Sequence, residues 1–359
     1  MSDTTALPRS TGTRRSRRPR LPWPVDREFR ILSIDGGGIR GIFPAAVLAG
    51  LEEHFLGGAS VAGYFDLIAG TSTGGILALG LGAGLPAAEL LRIYVERGGE
   101  IFPPLGPGFI GRVRRHLRAR RRYVRYIYEQ TALAGVLHEI LGDRLFGSST
   151  RRLCVPSFEG HYGEVYIFKT PHHPDFKLDW REPMLKVALA TSAAPSYYRP
   201  LRASDYTFVD GGVWANNPVM IALTEALASF DVTREQIRIL SLGCGEGLYS
   251  VAGTKLSWGG MFQWRDIISA AMRLQSQNAL GQAGLLIGPE NLIRVEPPPE
   301  VGLIELDDWH MAVERLPAAA VTALDSFGVH IAAELLQCPA EPYSPFINVA
   351  TQERCLALP

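Results

Sequence analysis

The segment that most constrains the fold of this chain is a run of small residues, Ala69-Gly70-Thr71-Ser72-Thr73-Gly74-Gly75, which contains the pattern Gly-x-Ser-x-Gly. It lies between a short apolar segment and a helical stretch of small residues, 76–84. A serine becomes an effective nucleophile when a tight strand-to-helix turn exposes its hydroxyl and a base can reach it. Gly70 and Gly74 permit such a turn, because a side chain at either position would crowd the backbone. The pattern therefore predicts a strand, a turn that presents Ser72, and a helix.

A second glycine-rich turn precedes this one. The apolar segment 30–34 is predicted as a buried strand, and it runs into Asp35-Gly36-Gly37-Gly38-Ile39-Arg40-Gly41 and a helical pattern over 42–55. Bare backbone N–H groups at a helix start can bind an oxyanion or a phosphate. The same glycines also match the dinucleotide pattern G-x-G-x-x-G, which requires a second strand ending in an acidic residue about 20 residues on. The sequence there continues the helix instead and then turns, but a glycine-loop nucleotide-binding protein stays open as an alternative.

A third motif follows much later in the chain. Residues 206–209 are predicted as a short strand that ends at Asp210-Gly211-Gly212, and a helix is predicted over 219–230. Asp210 would then lie at the carboxyl end of a strand, where the sites of α/β proteins are usually assembled. The simpler interpretation of an isolated Asp-Gly-Gly is that the aspartate closes a turn.

Together and in this order, the three motifs and the linking stretch 190–195 resemble the patatin-like phospholipases, over about residues 29–245. The resemblance implies a three-layer α/β hydrolase with a mostly parallel central sheet flanked by helices. It implies a catalytic dyad of Ser72 and Asp210, and an oxyanion hole formed by Gly36, Gly37 and Gly38. In the implied reaction, the serine attacks a fatty acyl ester of a phospholipid and the aspartate takes its proton. Water then releases the acyl group. No cofactor and no metal ion are expected.

Two alternatives remain within this assignment. The chain order Ser, Asp, His is that of the α/β-hydrolase triad, and both His310 and His330 follow Asp210. Neither histidine belongs to a strand-end motif, and His330 falls in the helical apolar pattern 321–336. The other alternative is a catalytically silent, lipid-binding scaffold that keeps the fold.

Composition bounds the organisation of the chain of 359 residues. Five arginines between residues 14 and 20, in a segment rich in Ser, Thr and Pro, predict a disordered basic tail over 1–26. A catalytic core is predicted over 27–245, and a C-terminal helical portion packed on it over 246–359. No run of 18 apolar residues occurs, so no transmembrane helix is predicted. The four widely spaced cysteines suit a reducing cytoplasm.

Eight arginines lie between residues 112 and 125 with no acidic residue among them. Arg118, Arg121 and Arg122 represent this cluster as candidate contacts. Three interpretations are open: a solvated helix face, a surface attracted to anionic headgroups, or a site for a phosphate-bearing regulator. A phospholipid membrane surface is the expected partner. Nucleic acid is not, because no binding module accompanies the charge.

The stretch 165–175 resembles a segment of compact bacterial patatin-like proteins, among them effectors of cyclic-oligonucleotide antiphage signalling. This resemblance implies a cyclic nucleotide activator, and a cytoplasmic enzyme that is peripheral to the inner membrane when active. His172 and His173 lie in the stretch. Adjacent residues on an extended chain point to opposite sides, so a structural or ligand-contact role is expected rather than metal binding. The C-terminal helices could cover the sheet, form a lid or pair subunits in a homo-oligomer.

Overall fold

The computed structural model describes residues 18–103, 126–203, 205–245, 267–348 and 353–354. Its strands are β1 (Phe29–Ile34), β2 (Leu67–Gly70), β3 (Arg152–Glu159), β4 (Glu164–Lys169), β5 (Leu201–Ala203), β6 (Tyr206–Asp210), β7 (Ile237–Leu242), β8 (Leu292–Val295), β9 (Ile347–Asn348) and β10 (Glu353–Arg354). Its helices are α1 (Ile42–Phe55), α2 (Thr73–Gly82), α3 (Ala87–Ile101), α4 (Gln130–Leu141), α5 (Met184–Thr191), α6 (Gly212–Ala215), α7 (Val219–Ser229), α8 (Ile267–Ile287) and α9 (Trp309–Leu335).

Eight of the described strands form one mixed sheet in the order β5-β6-β3-β2-β1-β7-β8, with β4 paired to β3. The strands β3, β2, β1, β7 and β8 run parallel, whereas β4 and β6 pair with β3, and β5 with β6, in antiparallel orientation. At the centre, Ile31 of β1 is in register with Leu67 of β2 and with Ile239 of β7. The predicted α/β class is confirmed, and the sheet is parallel in its centre with antiparallel strands at one side.

Both faces of this sheet are buried, as the parallel arrangement requires. Phe29 and Ile31 of β1 belong to the core cluster shared with α7 and α8, and Leu32 and Ile34 belong to the cluster on the other face, shared with α1, α3 and α9. Successive side chains of a strand alternate between faces. A continuous apolar run such as β1 therefore packs against a layer of helices on each face of the sheet, which gives the three-layer architecture.

Helix α9 is long and apolar enough to cross a membrane by length and composition alone. The sequence alone predicts no such span, because charged residues interrupt the apolar ones of α9. The helix packs along α1, where a Cβ on Gly50 would come within 2.2 Å of Cδ1 of Leu324. The core helix of a folded domain can have the same length and composition.

Residues 18–26, the described part of the tail that was predicted as disordered over 1–26, contact the domain, and residues 1–17 lie outside the described residues. Leu21 forms a parallel bridge with Phe230, at the end of α7. The ring of Trp23 lies 4.6 Å from that of Phe29 and 5.7 Å from that of Phe230, between centroids. The buried apolar area of these rings offsets the cost of ordering the segment.

The two adjacent histidines, His172 and His173, also connect this N-terminal segment to the domain. Nε2 of His173 lies 2.8 Å from the carbonyl oxygen of Pro19. Nε2 of His172 lies 3.3 Å from Oε1 of Glu225, the oxygen that also accepts a hydrogen bond from Arg18 at 3.0 Å. Both imidazoles are buried. These contacts are all within the protein and give the histidines a structural role.

The predicted boundary at residue 245 differs from the structure in one respect. Beyond it, β8 extends the central sheet, with Ile293 in register with Leu240 of β7. The portion 246–359 therefore contributes a strand to the sheet as well as the helices α8 and α9.

Candidate active site

Ser72 occupies the turn between β2 and α2 in a strained conformation. Its φ is 54° and its ψ is −119°, a region that residues with a side chain rarely adopt. A Cβ on Gly70 would lie 2.0 Å from the carbonyl oxygen of Gly74, and a Cβ on Gly74 would lie 2.2 Å from that of Ile34. Both neighbours are backbone atoms and cannot move aside. The two glycines therefore allow the tight turn, and Ser72 lies at its tip.

The hydroxyl of Ser72 donates a hydrogen bond of 2.7 Å to Oδ2 of Asp210. Register explains how residues so distant in sequence meet. Ala69 of β2 pairs with Cys154 of β3, and Asp210 pairs with Ser157, three residues further along β3. Ser72, three residues beyond Ala69, is thus level with Asp210. Asp210 is the last residue of β6, which is the strand end that the sequence predicts for it. Because β6 is antiparallel to β3, the register of this pair brings the aspartate to the site.

Asp210 is buried, with 5% of its surface exposed. Burial raises the pKa of its carboxyl to about 6, while hydrogen bonds from Ser72 and from the N–H of Gly212 oppose that rise. Among the residues that the structure describes, no histidine hydrogen-bonds to either member of this pair, and both His310 and His330 lie exposed on α9. The serine hydroxyl and the aspartate carboxylate are therefore in direct contact, with no described histidine between them.

The backbone groups of the loop after β1, residues 35–39, divide into bonded and free donors. The N–H of Gly36 donates to the carbonyl oxygen of Asn216 at 3.0 Å, and that of Ile39 donates to Leu306 at 2.9 Å. Within the described part of the chain, the N–H groups of Gly37 and Gly38 have no acceptor. Buried N–H groups are rarely left without a partner, so two adjacent free ones in a loop that passes beside Ser72 are suited to a ligand oxygen. Three oxyanion donors were expected, but the structure leaves two, because the N–H of Gly36 already donates to the carbonyl oxygen of Asn216.

Side chains fix this loop against the nucleophile turn. A Cβ on Gly36 would lie 3.3 Å from Cβ of Ser72, so the loop passes directly beside the serine. Arg40 donates from Nε to the carbonyl oxygen of Gly37 at 3.2 Å, and its guanidinium also bonds to that of Gly245. The residue Gly38 has a φ of +58°, which glycine adopts without strain. We infer that the loop is held rigid while two of its donors stay available.

Thr191 is a site residue that sequence reasoning missed. Its Oγ1 accepts a hydrogen bond of 3.0 Å from the N–H of Ser72 and donates one of 2.6 Å to the carbonyl oxygen of Pro156. The threonine ends α5 within the stretch 190–195, and a lone threonine at a helix end carries no signal of its own. It connects the strained turn to β3.

The candidate contacts Arg118, Arg121 and Arg122 lie outside the described residues. Their proposed role rests on the sequence alone.

The sequence of this chain is similar to those of known proteins. The family profile described as patatin-like phospholipase matches residues 32–223. The chain is 37% identical over 246 residues to a cGAMP-activated phospholipase of Escherichia coli (strain TW11681), which covers 65% of this chain and 67% of that relative. It is 32% identical over 323 residues to a cGAMP-activated phospholipase of Pseudomonas aeruginosa (strain BWHPSA011 / Pa011), which covers 89% of this chain and 91% of that relative.

Replacement of Thr191 tests whether the turn needs its hydrogen bond. Thr191→Val keeps the shape but leaves the N–H of Ser72 without an acceptor. We expect turnover of a soluble short-chain ester to fall about tenfold, or about 1.4 kcal/mol. Thr191→Ser should keep most of the activity. A folded valine variant with wild-type turnover would show that the bond is dispensable.

The pH dependence of kcat/KM tests Asp210 as the base. Only its ionised form can accept a proton, and its pKa is raised to about 6. Activity should therefore rise about tenfold per pH unit below 6 and level off above it. The same limb should persist in His310→Ala and His330→Ala. Loss of the limb in either histidine variant would assign it to a histidine instead.

Proposed function

The chain belongs to the patatin-like phospholipase family and is therefore a lipid ester hydrolase, and from this premise we propose that it cleaves fatty acyl esters of membrane phospholipids through Ser72 and Asp210. The observation that supports the proposal is the hydrogen bond of 2.7 Å between the serine hydroxyl and the aspartate carboxylate, in a strained turn beside two free N–H groups. Nucleophile, base and oxyanion donors are the parts that acyl transfer requires.

In the first half-reaction, Oγ of Ser72 attacks the carbonyl carbon of the ester and its proton passes to Oδ2 of Asp210. The carbonyl oxygen becomes an oxyanion, which accepts hydrogen bonds from the N–H groups of Gly37 and Gly38. Collapse of this intermediate breaks the ester bond. The leaving alkoxide takes the proton from Asp210 and departs as the lysolipid, and the fatty acyl group stays on Ser72.

In the second half-reaction, water attacks the acyl carbon and passes a proton to Asp210. The second tetrahedral intermediate breaks the bond to Oγ, which recovers the proton, and the fatty acid leaves. A carboxylate is a weak base for a hydroxyl, so the raised pKa of Asp210 helps by bringing it closer to the operating pH. Most of the rate must come from positioning and from the oxyanion donors, each typically worth about 2.7–4 kcal/mol.

We also propose that a cyclic dinucleotide activates the enzyme. The support is similarity to relatives named cGAMP-activated phospholipase, one of which is matched over 91% of its length. An enzyme switched on in this way would degrade the membrane of its own cell, in keeping with a role in antiphage defence. It would act in the cytoplasm, at the inner membrane, where the eight arginines of 112–125 would favour an anionic surface.

Release of fatty acid from mixed phosphatidylethanolamine and phosphatidylglycerol vesicles, with and without a panel of cyclic nucleotides including cGAMP, tests both parts. We expect the wild type to release fatty acid when cGAMP is present and little without it. Ser72→Ala and Asp210→Asn should release none, because each removes one half of the dyad and leaves the packing intact. His310→Ala and His330→Ala serve as controls and should resemble the wild type.

Other outcomes identify the alternatives. A folded wild type that binds vesicles but releases no fatty acid with any nucleotide is a lipid-binding scaffold. One that binds NAD or ATP tightly in calorimetric titration, without hydrolysis, uses its glycine loop for a nucleotide. Activity that is equal with and without every nucleotide contradicts the activator and leaves the phospholipase.

A further inference from the structure

Arg294 forms an ion pair with Asp35, the first residue of the loop 35–39, which we call the oxyanion loop. The arginine lies on β8, two strands away from β1 in the sheet. Its Nη1 donates to Oδ1 of Asp35 at 3.1 Å, and its Nη2 donates to Oδ2 at 2.6 Å. The two residues are 259 positions apart in the chain. Bidentate pairing of a guanidinium with a carboxylate fixes direction as well as distance. Only 1% of the aspartate side chain and 17% of the arginine side chain are exposed.

The arginine is itself held in place. Arg294 lies on β8 opposite Ser241 of β7, whose hydroxyl accepts a hydrogen bond of 2.7 Å from Nη1. Its Nε donates to Oε1 of Glu296 at 3.1 Å. The other carboxylate oxygen of Glu296 accepts the N–H of Gly245, also at 3.1 Å. These partners leave the guanidinium one orientation, toward Asp35.

Asp35 transmits this orientation to the loop. Its N–H donates to the carbonyl oxygen of Leu242 at 3.0 Å, and its own carbonyl oxygen accepts a contact of 3.4 Å from Sγ of Cys244. Main chain and carboxylate are thus fixed at the same residue, and the free N–H groups of Gly37 and Gly38 belong to the second and third peptide units after it. Rotation of Asp35 would change the direction of those two donors.

We propose that Arg294 is a positioning residue for the oxyanion loop. By hydrogen-bonding to both carboxylate oxygens of Asp35, it sets the direction of the free N–H groups of Gly37 and Gly38. The proposal rests on the proposed function of the same site. According to this proposal, the ion pair between Arg294 and Asp35 acts on catalysis and not only on the stability of the fold. Buried ion pairs often contribute little net stability, and an interaction that forms with the oxyanion acts on kcat rather than on substrate binding.

Arg294→Lys tests the proposal, because lysine keeps the charge but has no planar fork. Displacement of a reacting group by 1 Å can cost about 100-fold in rate, so we expect kcat on a soluble short-chain ester to fall by about 10- to 100-fold. The KM should stay within about twofold. The rate at which a fluorophosphonate labels Ser72 should fall in parallel, because its phosphoryl oxygen uses the same donors. Arg294→Gln would remove the positive charge beside the buried carboxylate of Asp35, and is a poorer probe for that reason.

Arg238→Lys is the matched control. Arg238 lies on the neighbouring strand β7 and forms an ion pair of 3.1 Å with Glu28. Its replacement should leave kcat, KM and the labelling rate unchanged. The double variant of Asp35→Asn and Arg294→Lys should be about as slow as the slower single variant, because the two changes disrupt the same contact.

A folded Arg294→Lys variant with wild-type kcat and wild-type labelling rate would overturn the proposal, as would a loss confined to thermal stability or KM. Failure of the proposed function has a different signature. A wild type that the fluorophosphonate labels at Ser72, but that releases no fatty acid from vesicles, contradicts the phospholipid substrate. The labelling rates of the lysine variants then still decide the role of Arg294.

Discussion

A close approach between two backbone segments makes the rest of the site possible. At the carboxyl end of the central strands, Gly74 passes so near the end of β1 that a Cβ there would lie 2.2 Å from the carbonyl oxygen of Ile34 and 2.7 Å from that of Asp35. This contact presses the nucleophile turn against the start of the oxyanion loop. It brings Ser72 within reach of donors that belong to a different strand, and any side chain at Gly74 would separate the two.

The site works by fixed geometry rather than by strong acids and bases. A positive φ at Ser72 costs free energy, and the hydrogen bond from its N–H to Thr191 contributes to holding the turn in that conformation. The loop opposite is held through Asp35 and Arg40, so its two free donors need no reorganisation when an oxyanion forms. Burial brings the pKa of Asp210 to about 6, where a carboxylate is still ionised at neutral pH yet more basic than usual.

Local features of this fold could be predicted from sequence, and long-range ones could not. The helix over 42–55 and the strand–turn–helix units around Ser72 follow from apolar runs and glycine positions, which act over a few residues. The antiparallel direction of β6 depends on its pairing with β3. The N–H of Gly36 is unavailable as an oxyanion donor because it bonds to Asn216, 180 positions further along the chain. Arg294 carries no motif at all. The composition of residues 18–26 predicts disorder, and no local pattern indicates that Trp23 packs against the rings of Phe29 and Phe230.

The central claim is that the acyl group passes through Ser72 with Asp210 as its base. Rapid acid quench of the enzyme during turnover of a phospholipid, followed by mass spectrometry of its peptides, measures this directly. The account predicts a fatty acyl group on the peptide that contains Ser72, formed by the wild type and absent from Asp210→Asn. An acyl group on another peptide, or fatty acid release by a wild type that never carries one, would contradict it.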